Sequence, residues 1–476
     1  MPENAPSFKP SLSLTDATML VSGSMIGSGI FIVSADIIRN VGSAHWLVAV
    51  WLITGFMTLA AALSYGELSG MFPKAGGQYI YLKEAYNPLI SFLYGWSFFT
   101  VIQTATIAAV GVAFAKFTAY LFPVFSEDIV LFSLGFFSVS PAQLLAIGVI
   151  LLLTLINTRG VKNGKIIQTS FTLTKIVSLL GLIIFGIIAA KGHIWQQNWS
   201  APAGIHPLKP TGNASSYTAF AALGAIAAAM VGSIFSSDSW NNVTFIAGEI
   251  RNPKRNIGLA LFLGTFLVTA LYVTANLMYL SVLPLQEIAT AEKDRVAVTA
   301  SQVIFGNAGT TIIALMIMVS TFGCNNGLIL AGARVYYSMA KDGLFFRKTG
   351  ELNRFAVPAY GLWLQGFFAC AWCLSGKYGD LLDMISFVVV VFYMLTIAGI
   401  FILRRTQPDT PRPYKAFGYP VLPVVYIAMG LAFCLSLIIY KPNYTWPGLL
   451  ITLAGIPVYY LIKKKRMPEP ASAHES

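Results

Sequence analysis

Charge is scarce in this sequence of 476 residues. Asp, Glu, Lys and Arg together make up 11% of it, against about a quarter in soluble domains. So little charge cannot solvate a globule of this size, and with 56% hydrophobic residues and a mean hydropathy of +0.70 the chain must face lipid. Histidine is equally rare, and none of the four lies near another at catalytic spacing. No GxSxG, HExxH or Walker pattern occurs, which argues against an enzyme or a primary pump. The four cysteines, Cys324, Cys370, Cys373 and Cys434, all fall in apolar windows without the spacing of a ligand cluster. Neither a disulfide, a metal site nor a cofactor is expected from them. The first sixteen residues, "MPENAPSFKPSLSLTD", lack the basic start and short apolar core of a secretory leader, so no cleavable signal is expected.

What the chain has in abundance is apolar windows of spanning length, about 20 residues each. Twelve can be laid down, at 15–40, 44–71, 89–121, 141–157, 167–190, 217–248, 257–283, 308–339, 356–376, 380–403, 420–440 and 445–462. The expected fold is an all-α integral membrane protein of twelve transmembrane helices, with one membrane domain over 15–462 and short tails at 1–14 and 463–476. The net charge of +12 fits this topology. With both termini in the cytoplasm of a multi-pass cell-membrane protein, 22 of the 31 Lys and Arg residues fall on the inside and seven on the outside, as the positive-inside rule requires. The basic excess is therefore topological and implies no nucleic-acid partner. The longest outside stretch, 191–216, is rich in Pro, Gly and Trp and reads as a loop on the membrane surface.

Two windows contain residues that a transmembrane helix avoids. "GSMIGSGIF", Gly23 to Phe31, packs three glycines and two serines into seven positions, and "VGSIFSSDSWNN", Val231 to Asn242, puts an aspartate and two asparagines halfway along the sixth window. Backbone that leaves helical geometry inside lipid is tolerated only around a protein-lined cavity. Breaks in spans 1 and 6, five spans apart, are the pattern of a 5+5 inverted repeat, here 15–190 and 217–403, with spans 11 and 12 (420–462) appended. Unwinding span 1 exposes N–H groups suited to a carboxylate, and unwinding span 6 leaves carbonyls suited to an ammonium group. Together they suit the two backbone groups of an amino acid.

"GSMIGSGIF", "YGELSGMFPKAGGQYIYLKEAYNPLISFLYGW" and "LRRTQPDTPRPYKAFGYPVLPVVYI" resemble the amino acid–polyamine–organocation permeases, and most of all their L-type branch with its bacterial serine/threonine relatives. The resemblance implies that the break running from Met25 through Ile26 and Gly27 presents Ser28 and Gly29 to the substrate carboxylate, with the Met25 carbonyl near the amine. It implies that Phe235 covers the bound substrate as a gate, that the carbonyls of Phe235, Ser236 and Asp238 face the ammonium group, and that Trp240 and Asn241 follow as in that branch. The departure lies at Ser237, Asp238 and Ser239: eukaryotic members prefer glycine at the last two positions, whereas aspartate at the first of these recurs in bacterial relatives. Three readings of Asp238 stand side by side: a helix cap, a contact to a substrate cation, and a proton-coupling group.

Lys175 in "QTSFTLTKIVSLLG" lies eight residues into its window, about 12 Å along the helix. It either snorkels to the headgroups or, as the resemblance implies, replaces the sodium ion that related transporters bind between spans 1 and 8. Ser320, Asn325 and Asn326 on span 8 and Tyr393 on span 10 are candidate pocket residues. Glu67 ends span 2 and reads as an ion-pair partner or a gate, and Lys116 reads as a snorkelling residue. The expectation is a secondary transporter working by alternating access, exchanging neutral L-amino acids without sodium. The alternative is a proton-coupled symporter of neutral or cationic amino acids, and a channel lacks the filter it would need. The L-type members are joined to a heavy chain through a cysteine between spans 3 and 4. That loop has no cysteine here, so no disulfide-linked partner is expected.

Overall fold

Lipid offers backbone groups no hydrogen-bond partner, so each apolar window closes its own bonds as a helix. The computed structural model describes residues 8, 10–134, 137–200, 204–208, 219–375 and 378–464. Among these, nine helices are long and apolar enough to cross a bilayer, Leu14–Met25 and Gly29–Val41 do so as a pair bent by 41°, and Ala222–Ser236 and Ala359–Leu374 are shorter apolar helices. They coincide with the twelve expected windows. Most of both tails, and 201–203 and 209–216 of the expected surface loop, lie outside the described residues.

In chain order, span 1 comprises 1a (Leu14–Met25) and 1b (Gly29–Val41), followed by span 2 (Ala44–Met71), span 3 (Pro88–Leu121), span 4 (Pro141–Thr158) and span 5 (Val161–Ile188). The second set is span 6 (6a, Ala219–Ser236, then 6b, Asn242–Phe245), span 7 (Pro253–Val282), span 8 (Val296–Lys341), span 9 (Ala359–Ser375) and span 10 (Tyr378–Thr406). Spans 11 (Val421–Tyr440) and 12 (Pro442–Lys464) complete the bundle. Spans that correspond under a five-span offset meet one another: 1b with 6a, 2 with 7, and 3 with 8.

Two boundaries and two connections differ from expectation. Span 5 begins six residues earlier, because its polar first turns continue the helix, and Lys175 is therefore about 21 Å along it rather than about 12 Å. Span 8 has a lead-in from Val296 that turns into the span at Gly306, whose φ is +69°. The surface stretch after span 5 forms a helix, Gly192–Ser200, pinned by Asn198, whose amide donates to the Leu280 and Leu283 carbonyls. The connection between spans 2 and 3 contains a helix, Gln78–Ala85.

Polar locks tie the basic end of the bundle. Glu67 is fully buried and accepts from Arg404 at 3.0 and 2.7 Å and from the Ala416 N–H at 2.7 Å, with Arg412 at 3.4 Å. It is an ion-pair partner joining span 2 to span 10 and the connection beyond it. Arg334 on span 8 pairs with Glu249, just past 6b, at 3.0 Å, and both are buried. The Glu249 carbonyl also accepts from the N–H groups of Ser11 and Leu12, and Arg251 N–H donates to Leu12, so residues 11 and 12 form a strap against the end of span 6. The Glu67→Gln variant, which leaves two guanidinium groups without their carboxylate, is expected to lose on the order of 3 kcal/mol of stability. Thermal unfolding in detergent reads this directly, and an unchanged midpoint would exclude a structural role for the cluster.

Candidate functional site

Span 1 leaves helical geometry at Ile26 (φ −73°, ψ 93°) and resumes at Gly29. The carbonyls abandoned by this break need donors. Lys175 supplies them from span 5: its Nζ donates to the carbonyls of Gly23 at 2.6 Å, Ile26 at 2.7 Å and Ser320 at 3.2 Å, and the residue is 1% exposed. The side chain therefore reaches into the protein and not to the headgroups. Ser320 adds its hydroxyl, which donates to the Gly27 carbonyl at 3.0 Å, and the Cys324 thiol lies 3.0 Å from the Ser24 carbonyl.

Span 6 stops at Ser236. Asp238 N–H still reaches back to the Phe235 carbonyl at 3.2 Å, but Ser239 turns left-handed, with φ +66°, before 6b begins at Asn242. The two breaks touch. A Cβ on Gly29 would lie 1.9 Å from the Ser236 hydroxyl, so only glycine allows this approach. Bridging them from span 7, the Tyr272 hydroxyl lies 3.0 Å from the Met25 carbonyl and 3.1 Å from the Ser236 carbonyl. Its single proton is shared between the last carbonyls of 1a and 6a, the groups expected to meet an amine. Sequence reasoning passed over Tyr272 because a tyrosine in "VTALYVTANLMYL" reads as apolar packing. The signal lay in the spacing of Tyr272, Asn276 and Tyr279, which share a helix face. The hydroxyl of Ser34 donates to Asn276 at 2.7 Å, and Tyr279 donates to the Ile30 carbonyl, so the whole stripe grips span 1.

Past the second break, Asp238 is buried and accepts the Tyr393 hydroxyl at 2.5 Å, across to span 10. The Trp240 ring lies 4.8 Å from Tyr65 and 5.1 Å from Tyr393. Asn241 donates to Gln78 at 3.0 Å, and Gln78 donates to Thr396 at 3.0 Å. Gln78 was not singled out from sequence, although the glycine pair before it was a signal. A Cβ on Gly77 would lie 2.2 Å from the Thr244 hydroxyl, so this turn lets the connection press against 6b. Two cavities flank the Asp238–Tyr393 bond. One is lined by Gln78, Tyr94, Gln103 and Asn241, the other by Thr54, Thr58, Ser237 and Tyr426. Burial and the neighbouring Asp342 carboxylate raise the Tyr79 phenol above its ordinary range, so it remains a donor to Asp342 at 2.8 Å, beside Lys83 at 2.7 Å.

The structure thus brings Met25 to Gly29, Ser236, Lys175 and Ser320 together, and places Asp238, Asn241 and Tyr393 as a second group one turn away. Phe235 is half-buried in the last turn of 6a, and Lys116 is half-buried on span 3. Asn326 faces another way: it accepts from Asn157 at 2.9 Å and donates to Gln168 at 3.3 Å, between spans 4 and 5, because six residues turn it about 240° around the helix from Ser320. Its neighbour Asn325 donates to the Ile107 carbonyl of span 3.

A family model described as "Amino acid permease" matches residues 12–460. The chain is 30% identical to the serine/threonine exchanger SteT of Bacillus subtilis over 96% of its length and 98% of the relative's. It is 29% identical to the human b(0,+)-type amino acid transporter 1, covering 96% of this chain and 88% of that one. To the human large neutral amino acids transporter small subunit 2 it is 30% identical, over 95% and 80% respectively.

Two substitutions follow from the geometry of the breaks. Gly29→Ala drives a methyl group into Ser236, so substrate binding is expected to fall at least tenfold, and Ser236→Gly in the same chain to restore part of it. Isothermal titration of both variants checks this, and equal binding by Gly29→Ala and wild type would refute the close approach. Ser239→Gly removes a left-handed serine and is expected to gain up to about 1 kcal/mol, whereas Ser239→Val should lose stability. Melting midpoints that move the other way would show that the left-handed turn is not strained.

Proposed function

As a member of the amino acid permease family this chain is a secondary transporter of amino acids, and we propose that it exchanges neutral amino acids across a cell membrane without sodium. The observation that carries this reading is the Lys175 ammonium on the carbonyls of Gly23, Ile26 and Ser320. A fixed cation already occupies the place between spans 1 and 8 where a mobile one would sit, and its three donors match the three acceptors.

The amino acid itself is held by backbone. The N–H groups that open 1b, at Ser28 and Gly29, take the carboxylate, helped by the positive end of the half-helix dipole. The carbonyls of Met25, Phe235 and Ser236 take the amine, with the Tyr272 hydroxyl yielding its place. The small and apolar stretch "TATIAAVGVAF" of span 3 favours a neutral side chain, as does the likeness to a serine/threonine exchanger and to a transporter of large neutral amino acids. Phe235 closes over the occupied site. Residues 15–190 and 217–403 act as inverted repeats that rock about it, with 420–462 appended. Both termini face the cytoplasm, on the basic side. The human large neutral amino acids transporter is, by its name, a small subunit. Since the loop between spans 3 and 4 contains no cysteine, this chain works without a disulfide-linked partner.

Purified protein in proteoliposomes tests the reading. Internal unlabelled amino acid should accelerate entry of labelled substrate severalfold, and the rate should persist when choline replaces sodium. Lys175→Ala should slow exchange at least tenfold, because three carbonyls lose their donor and the break loosens. An absolute sodium requirement in the wild type defeats the proposal.

A further inference from the structure

Asp238 is the one carboxyl of the second break, and its surroundings are unusual for an ionised group. It is 8% exposed, in the break between 6a and 6b. Among the described residues no Lys, Arg or His lies within 4 Å of it, in contrast to Glu67 and Glu249, each of which faces arginine. Among the described residues, the titratable groups that face it are phenols. Tyr393 comes from span 10, Tyr94 from span 3 and Tyr426 from span 11, with Tyr65 of span 2 behind the Tyr393 ring. The nearby Gln78 and Asn241 are neutral. Lys175, the other buried charge of this region, is engaged by the carbonyls of spans 1 and 8.

The Asp238 carboxyl has the Tyr393 hydroxyl and the Ser239 backbone N–H as partners and, among the described residues, no counter-ion, so a full charge there is poorly compensated. Capping does not account for it either. The helix that follows, 6b, has Asn241 at its cap without a side-chain bond, and the Asp238 carboxyl accepts from the adjacent Ser239 N–H and from the Tyr393 hydroxyl of span 10. Small cavities lie on its two sides, one lined by Gln78 and Asn241 and the other by Thr54 and Ser237.

We propose that Asp238 is a proton-binding site of the transport cycle: the carboxyl holds a proton while the break is closed and gives it up to water when the break opens. The proton arrives from hydronium in the water beside Gln78 and Asn241 and returns to water, and nothing is oxidised or reduced. While the carboxyl is neutral, its O–H and the Tyr393 hydroxyl share one hydrogen bond. When it ionises, the negative charge draws in water and pushes spans 6 and 10 apart. The proposal rests on the transporter reading above, but not on sodium independence.

Two measurements on the reconstituted full-length protein decide it. Infrared difference spectra recorded on adding L-serine or L-leucine should show a carboxylic-acid C=O band that shifts in heavy water and disappears in Asp238→Asn. Exchange in proteoliposomes should fall as pH rises in the wild type, since the occluded form needs the proton, and Asp238→Asn should flatten that profile whatever its absolute rate. Should that variant not fold, Tyr393→Phe keeps the carboxyl and removes its phenol partner, so the C=O band should persist at a shifted frequency and the midpoint of the pH profile should move. An absent band, or an Asp238→Asn profile with the wild-type slope, overturns the proposal. Failure of counterflow in the wild type would instead count against the exchange reading and leave the infrared result standing.

Discussion

A helix interrupted inside a membrane leaves carbonyls that no lipid can satisfy, and the bond from Lys175 to Gly23, Ile26 and Ser320 is what makes the interruption of span 1 tenable. Much else follows from it. With the carbonyls on one side of the break bound by an ammonium, the opposite side can present N–H groups to the pocket. The same ammonium draws spans 1, 5 and 8 to one point, and that junction positions Ser320 and Cys324 against the unwound residues. An ordered hinge and a polar pocket thus share one cause.

The second break is held by different means. It has Tyr272 from span 7, the contact of Gly29 with Ser236, and the aromatic group of Tyr65, Trp240 and Tyr393. These are neutral contacts of modest individual strength, whereas the first break is held by charge. The asymmetry suits a transporter in which one half-site stays ordered while the other rearranges around it.

How much of this was legible beforehand depended on the kind of signal. Both breaks could be read from glycine, serine and aspartate standing in apolar windows, because such residues have few reasons to be there. Lys175 stood out for the same reason, though only the fold shows which carbonyls it meets. Tyr272 and Gln78 did not stand out: tyrosine is at home in apolar helices, and Gln78 sits in what reads as a connecting loop, so their roles depend on a partner more than 150 residues away or on another span. Asn326 shows the opposite error, a polar residue at the right depth whose side chain faces spans 4 and 5. Depth is visible in hydropathy, and azimuth around a helix is not when every face is apolar.

The strap at Ser11 and Leu12 adds a mechanical element. Its strand-like pairing with Glu249 to Arg251 lies directly behind 6b and beside the Arg334 ion pair, so it is in series with the hinge at Ser239. Residues 11 and 12 are joined by three backbone hydrogen bonds to Glu249 and Arg251, a few residues past 6b. The approach to span 1 and the exit from span 6 are therefore coupled through backbone, so a displacement of residues 11 and 12 is felt at the ion pair of Arg334 and Glu249.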